Sequence, residues 1–368
     1  MNLPSPHQQP WRVGVIGAGR IVERAHLPLL AEMPDVAIAG LFDPDEDRAR
    51  TMARQYGIPV ACGSLDALLD LQLDVVLVAC PNHLHAATSI AAMEANIHVL
   101  CEKPMAVTSA DARAMVATSA RTGRELMIAF PNRFRLEITA LRQAIETGQL
   151  GEIRAIRAGW MRQHGVPGVG TWFTRRALSG GGVLADLGSH MIDLALWLGG
   201  RHELLSACCV IEQAAEPPEQ AAWYAPSTPV EAGCDVEVRA SGFMVCEGPL
   251  NIFVEVGWDC AVPHDQTYLH VMGTRGSARI ETLFGFSPSG VRPAHPLRIW
   301  VEGEPGYREV AGTVDLLQPY RDQWAWFLES LHGGRSLRPA LLESLATVEA
   351  IESMYESADQ MASNTTPS

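Results

Sequence analysis

No stretch of this 368-residue chain is apolar for long enough to cross a membrane. Its longest hydrophobic runs, such as Val75 to Cys80, have the length of a β-strand and fall well short of the roughly 18 residues of a spanning helix. Basic residues are scarce: 28 Lys and Arg stand against 42 Asp and Glu, a net charge of −14. A chain so acidic lacks the basic footprint of a nucleic-acid binder, and an anionic membrane surface would repel it. The eight cysteines include no CxxC pair. Residues 1–10 are polar and proline-rich, with neither the basic nor the apolar segment of a secretory leader, and read as a disordered lead-in. Reduced thiols and a cytoplasmic location are therefore expected. Cys208 and Cys209 are adjacent, which on a strand sends them to opposite faces rather than into a redox pair. With 47% hydrophobic and 19% charged residues, disorder and low complexity are excluded.

What is present is an alternation of two periods over residues 11–130. Apolar strands at Arg12–Ile16, Val36–Phe42, Asp74–Cys80, Ile97–Cys101 and Leu126–Phe130 are separated by helical stretches at Arg20–Glu32, from Pro44, at His85–Ala95 and at Ser109–Ser119. Strands and helices of these lengths in strict alternation make βαβ units, hence a doubly wound α/β domain on a parallel sheet. Beyond residue 130 the pattern changes. A strand at Glu152–Arg162 and a helix at Gly182–Leu198 precede consecutive strands at Leu204–Ile211, Asp235–Phe243, Leu250–Trp258, Tyr268–Met272, Ala278–Thr282 and Leu297–Val301. Strands joined in this way predict an α+β domain over 131–361. Ala214–Val230 reads as an inserted surface loop, Tyr320–Leu331 and Ala340–Gln360 (about 318–360) as closing helices, and 362–368 as a frayed tail.

Gly17-Ala18-Gly19-Arg20-Ile21 follows the first strand and opens a helix. In a dinucleotide site the first glycine makes the turn, and the second lets the pyrophosphate approach the helix N-terminus. The third fingerprint glycine is replaced by Val22. Asp43 ends the second strand, where a carboxylate takes the ribose hydroxyls of NAD; the alternative is that it caps a helix beginning at Pro44. Pro44 and Asp45 follow it, with no Arg or Lys to hold a 2′-phosphate, so NAD(H) is favoured over NADP(H).

Pro81, Asn82 and His85 follow the third strand, and Glu102-Lys103-Pro104 follows the fourth. Ligands of open α/β sheets sit at such strand ends; on spacing alone, Lys103 is equally a surface lysine before a turn. His83 and His85 form an HxH without a convincing third or fourth ligand, so no metal is expected. Asp186, His190 and Asp193 fall at i, i+4 and i+7, one face of a helix, just after the glycine triplet 180–182. A carboxylate beside an imidazole suits acid–base chemistry near neutral pH, and a buried, paired histidine is the structural alternative. The glycines would let backbone come close to a ligand. Asn132, Arg133, Arg162, His164, Trp172 and Arg175 are candidate pocket residues: Trp172 offers a ring face for stacking and the arginines can take a carboxylate or phosphate, while Arg175 with Arg176 reads equally as a solvated turn.

In order and spacing these stretches, with Trp172-Phe173 and the Gly273-Thr274-Arg275-Gly276 turn, resemble the Gfo/Idh/MocA family of glucose–fructose oxidoreductase and inositol dehydrogenase. The resemblance covers almost the whole chain. It implies an N-terminal Rossmann domain, a C-terminal α+β domain with a large, mostly antiparallel sheet, and closing helices that pack back toward the first domain. It implies a homodimer or homotetramer formed through that sheet. It implies hydride transfer between nicotinamide and a secondary alcohol or ketone of a sugar or cyclitol, with Lys103, Asp186 and His190 as the catalytic set. Three other readings share the fold: an NAD-dependent glycoside hydrolase, a non-catalytic NAD(P)-binding regulator, and a reductase of a non-sugar carbonyl or enone.

Overall fold

A computed structural model describes residues 9–200, 203–214, 219–221, 233–286 and 293–365. They divide into two units. Most of the lead-in, most of the loop expected at 214–230 and residues 366–368 lie outside the described residues.

The first unit comprises residues up to 106, 110–131 and 317–342. Its strands are β1 (Trp11–Ile16), β2 (Val36–Phe42), β3 (Ala61–Cys62), β4 (Val75–Val78), β5 (His98–Cys101) and β6 (Leu126–Ile128). They form one all-parallel sheet in the order β3-β2-β1-β4-β5-β6. All four residues of β4 are buried, as a strand covered on both faces requires. The order reverses between β1 and β4, the topological switch point where such sheets bind ligands. Helices α1 (Leu27–Glu32), α2 (Glu46–Tyr56), α3 (Leu65–Leu69), α4 (His85–Glu94) and α5 (Ser109–Thr122) belong to the crossovers. β3 and α3 are too short to carry a period and were not expected. α2 starts two residues after Pro44, and its N-cap is Asp45, whose side chain accepts from the Arg48 N–H at 3.1 Å. Asp43 is therefore not the helix cap.

The second unit is built on residues 132–316 and the chain from 343 onward. Helices α6 (Leu136–Glu146), α7 (Arg176–Ser179) and α8 (Ser189–Gly199) accompany eight strands. These are β7 (Ile153–Met161), β8 (Leu204–Gln213), β9 (Glu237–Cys246), β10 (Asn251–Gly257), β11 (Gln266–Gly273), β12 (Gly276–Thr282), β13 (Leu297–Val301) and β14 (Arg308–Val310). The order is β14-β13-β12-β11-β7-β10-β9-β8, and every pairing is antiparallel except β7 with β10. Alternate residues point into one core. Ile156, Ile252, Val254, Leu269, Val271 and Ile280 join Leu184, Leu187, Met191, Leu194 and Leu198 there. Cys209 is buried and Cys208 exposed, on opposite faces of β8. Two helices close the chain, α9 (Gln318–His332) in the first unit and α10 (Arg338–Thr365). α10 continues past the end expected at residue 360 and takes up the start of the expected tail.

A buried ion cluster anchors α8. The Arg133 guanidinium donates to both Asp193 oxygens, Nε to Oδ2 at 2.9 Å and Nη2 to Oδ1 at 2.6 Å, and to the Glu343 carboxylate. It also lies over the Trp197 ring. Arg133, expected to contact substrate, is placed by the structure in this cluster, where it donates to Asp193, which is 1% exposed, and to Glu343. Arg133→Ala strands a buried charge, and urea unfolding should show a loss of about 3–5 kcal/mol. The double variant R133M/D193L should lose much less. A loss below about 1 kcal/mol in R133A would mean that the pair does not hold the helix.

Candidate active site

The glycine loop is shaped by the sheet beneath it. Gly17 has φ +98°, and a Cβ there would meet the Ala79 carbonyl at 2.4 Å. Gly19, at the start of the following helix, is different: a Cβ would meet no protein atom within 4 Å. Packing alone does not demand glycine at 19, whereas close approach of a phosphate to the backbone does. The buried Asp43 fixes the loop. Its Oδ2 accepts from Ala18 N at 2.7 Å and its Oδ1 from Asp45 N at 2.9 Å. Each oxygen keeps a second lone pair for a ribose hydroxyl. Arg20 and Ile21 are half-buried in the opening turn. Val22 is fully buried, and the helix makes a wide π turn at Val22–His26 before α1. A glycine turn, a helix N-terminus and an acid at the end of β2 fit a dinucleotide.

Two loops at the C-terminal ends of β4 and β5 are locked together by His85. Its Nδ1 lies 2.7 Å from the Pro104 carbonyl and its Nε2 2.9 Å from the Cys80 carbonyl. Burial pushes its pKa down, and the two carbonyls only partly oppose this. Both nitrogens lie against backbone oxygens, one from each loop, so whichever nitrogen carries the proton bonds one loop while the ring packs against the other. Pro81 is half-buried and Asn82 buried. Glu102 is likewise a support: its Oε1 accepts from His26 at 2.8 Å and its Oε2 from Lys103 N at 3.2 Å. Burial pushes the Glu102 carboxyl up, and His26 and the Lys103 charge together hold it below the usual range. Lys103 is half-buried. It is also the sole lysine of the chain, beside 27 arginines. A chain that uses arginine for every other cation keeps an ammonium at this strand end, where a compact point charge differs most from a delocalised fork.

The second unit gathers its own cluster. Asp186 sits in a π turn (Leu184–Gly188) that leads into α8, and its Oδ2 accepts from the Trp258 indole N–H at 3.0 Å. His190 is nearly buried, with its ring 5.7 Å from that of Trp160. Trp160 packs against Phe284 on one side and the Arg162 guanidinium on another. Burial pushes the Arg162 pKa down, opposed by the charges of Asp186 and Asp265. Phe173 packs on Trp258, and Trp172 meets Phe173 edge-on.

Of the remaining candidates, Asn132 is buried, with its carbonyl accepting from Arg135 N at 3.3 Å, and Arg175 is half-buried beside α7. His164 is 70% exposed, 3.7 Å from Asp259, so it is not brought into the aromatic cluster. Asp193 also leaves the predicted shared face, since it pairs with Arg133.

The glycine triplet serves packing instead of ligand approach. A Cβ on Gly181 would meet the Tyr355 hydroxyl at 1.9 Å, and one on Gly182 the Glu237 carbonyl at 2.0 Å. The buried Glu237 carboxylate accepts from Gly182 N at 3.0 Å, Leu184 N at 2.9 Å and Tyr355 OH at 2.8 Å. It thereby holds the start of the helix that carries Asp186 and His190. Sequence reasoning missed Glu237, and the available signal was an acid at an inward position of an alternating strand.

These features define an oxidoreductase with an NAD-binding Rossmann domain. More narrowly, the chain belongs to the Gfo/Idh/MocA family: residues 11–130 match the oxidoreductase family model with an NAD-binding Rossmann fold, and 138–279 match the GFO/IDH/MocA C-terminal domain. It is 32% identical over 354 residues (94% of this chain, 96% of the relative) to a protein of Amycolatopsis mediterranei (strain S699) assigned as a UDP-kanosamine synthase oxidoreductase subunit. It is 38% identical over 192 residues, 52% of this chain and 54% of the relative, to the D-glucoside 3-dehydrogenase of Escherichia coli (strain K12). Levoglucosan dehydrogenase in complex with NADH and levoglucosan has the same fold, with a TM-score of 0.82 at 22% identity over 96% of this chain and 98% of that one. Among the described residues no helix is long and apolar enough to cross a membrane.

Burial raises the Glu237 carboxyl above its ordinary range, against the pull of Leu184 N, Tyr355 and Gly182 N. The native state therefore binds this proton more tightly than the unfolded chain. Its contribution to stability is greatest at low pH and falls as pH rises through the ordinary glutamate range to the raised native value. E237Q removes that dependence. The wild-type Tm minus the E237Q Tm should decrease between pH 4 and 7, and a difference that grows with pH would reverse the assignment.

Proposed function

We propose that this enzyme is an NAD(H)-dependent dehydrogenase that oxidises a secondary hydroxyl of a neutral pyranose, reversibly and at C3 of a glucose-configured ring. The reading rests above all on the single lysine, held at the end of β5, in a chain whose second unit bonds Asp186 to the Trp258 indole N–H and packs His190 against Trp160. The D-glucoside 3-dehydrogenase relative supports the ring position. The charges of Asp186 and Asp265 already answer Arg162, which favours an uncharged sugar over a sugar acid or phosphate. NAD(H) over NADP(H) follows from the acids around Asp43: Arg48 is paired with Asp45, and Arg50 with Glu46 and Asp47. The eight cysteines form no disulfide, which suits a cytoplasmic enzyme.

In this reading Lys103 stabilises the alkoxide character that grows on the carbinol oxygen. His190 takes the hydroxyl proton on oxidation and returns it on reduction. Asp186, held by Trp258, orients the substrate through a neighbouring hydroxyl and supports the charge that forms on His190. Bound nicotinamide supplies the hydride acceptor. Trp172, half-buried, offers a face for the sugar ring.

NADH and NADPH titrations, followed by an NAD+-reduction screen on glucosides, hexoses, inositols and sugar acids, test the reading. Tighter NADH binding and turnover on neutral glucosides are expected. K103A and K103R should both lose at least ~100-fold in kcat, with NADH affinity within a few-fold of wild type. Normal turnover in K103A would refute the assignment of Lys103. Aglycone release without net NADH would identify the glycoside hydrolase instead.

The face of the large sheet turned away from the core carries Leu205 (59% exposed), Val210 (63%), Phe243 (45%) and Trp300 (38%). Apolar side chains of this size mark an interaction surface, and we assign it to self-association as a dimer or tetramer. V210E/F243E should lower the mass measured by light scattering to that of a monomer. An unchanged mass would place the interface elsewhere.

A further inference from the structure

Trp324, on α9, and His26, in the π turn before α1, are both completely buried, and the reaction just proposed uses neither. Trp324 Nε1 lies 2.9 Å from His26 Nδ1, and His26 Nε2 lies 2.8 Å from Glu102 Oε1. An indole N–H can only donate, so His26 Nδ1 must be the acceptor. A neutral imidazole then has its one proton on Nε2, aimed at the carboxylate. The other oxygen of that carboxylate accepts from the backbone N–H of Lys103. The ring has edge contacts with Tyr320 and Trp324, both from α9. One line of hydrogen bonds thus runs from α9 to the sole lysine: indole N–H to imidazole, imidazole N–H to carboxylate, and backbone N–H of Lys103 to the same carboxylate.

We infer that Trp324 and His26 are positioning residues for Lys103. Trp324 fixes the tautomer of His26, His26 fixes the Glu102 carboxylate, and that carboxylate sets the backbone from which the Lys103 ammonium projects. A buried carboxylate without a strong donor reorients toward the nearest cation, which here is Lys103 itself, and the ammonium is then drawn away from the reacting oxygen. This inference rests on the catalytic reading of Lys103, but the arrangement it describes can be measured without turnover.

The single lysine makes the measurement clean. Reductive methylation with 13C-formaldehyde labels only Lys103 and the N-terminal amine, and the Lys103 resonance is the one absent from K103R. 15N-histidine labelling reports the His26 tautomer, assigned by its disappearance in H26Q. Expected are the Nε2–H tautomer in the wild type and a mixture of tautomers in W324F. The Lys103 methyl resonance should be displaced in W324F and H26L. It should stay near its wild-type position in H26Q, because an amide can both accept from Trp324 and donate to Glu102. kcat should fall about tenfold or more in W324F, with KM for NAD+ changed less than twofold. An Nδ1–H tautomer or an imidazolium in the wild type at pH 7.5 would overturn the proposal. So would a Lys103 resonance unmoved in both W324F and H26L. Should K103A prove fully active while W324F still displaces the lysine resonance, the relay stands and the catalytic reading of Lys103 fails.

Discussion

A carboxylate taken out of water must be met by hydrogen-bond donors or a cation, and in this protein four of the buried carboxylates hold loops or turns of the candidate site. Asp43 is met by the backbone N–H groups of Ala18 and Asp45, which fixes the glycine turn. Glu102 is met by His26 and by the Lys103 N–H, which fixes the lysine turn. Glu237 is met by Gly182, Leu184 and Tyr355, which fixes the start of the helix bearing Asp186 and His190. Asp193 is met by Arg133, which anchors the same helix three residues after His190. Each of these loops and turns is held by an acid to which the proposed reaction gives no chemical step. The parallel and antiparallel sheets supply the rigid frame, and these four groups convert the frame into fixed side-chain positions.

The architecture was legible because it is periodic. Continuous apolar runs such as Val75–Val78 and alternation such as that of β10 are consequences of burial on two faces or on one, and both appear in the sequence as such. Elements too short to show a period, β3, α3 and β14, left no such trace. The candidate site was legible in type but not in partnership. Nothing in the spacing of Arg133 says that Asp193, 60 residues later, will take its guanidinium. The glycines at 181 and 182 suggest ligand approach in the sequence because their neighbours, Tyr355 and Glu237, lie far along the chain. One informative signal needed no structure at all: a lysine count of one, at Lys103.

The helical reading of Asp186, His190 and Asp193 shows how a sound rule loses register. Positions i, i+4 and i+7 share a face only while the helix keeps 3.6 residues per turn. Here the chain makes a π turn through Leu184–Gly188 before it settles into α8, and Asp186 lies within that turn. Asp186 therefore bonds Trp258, while Asp193 bonds Arg133. A second π turn, at Val22–His26, begins where the third glycine of the dinucleotide fingerprint is replaced by Val22. Both of these wide turns sit directly beside residues assigned to chemistry, where such turns recur in proteins generally.

The electrostatics of the second unit bear on what the enzyme can accept. Arginines in this region suggest an acidic or phosphorylated substrate when they are viewed as free charges. Arg162 is not free in that sense: it is buried on Trp160, and the charges of Asp186 and Asp265 oppose the burial that depresses its pKa. Beside that one guanidinium stand two acidic side chains, Asp186 and Asp265, an excess of acids over bases. A phosphate or carboxylate brought there would face that excess in a setting of low dielectric, where like charges are costly. A neutral polyol has no such difficulty. Its hydroxyls can donate to Asp186, and its apolar ring face can lie on indole. In the proposed reaction the same acids favour the imidazolium that His190 forms on taking a proton, so the feature that disfavours anions also suits oxidation.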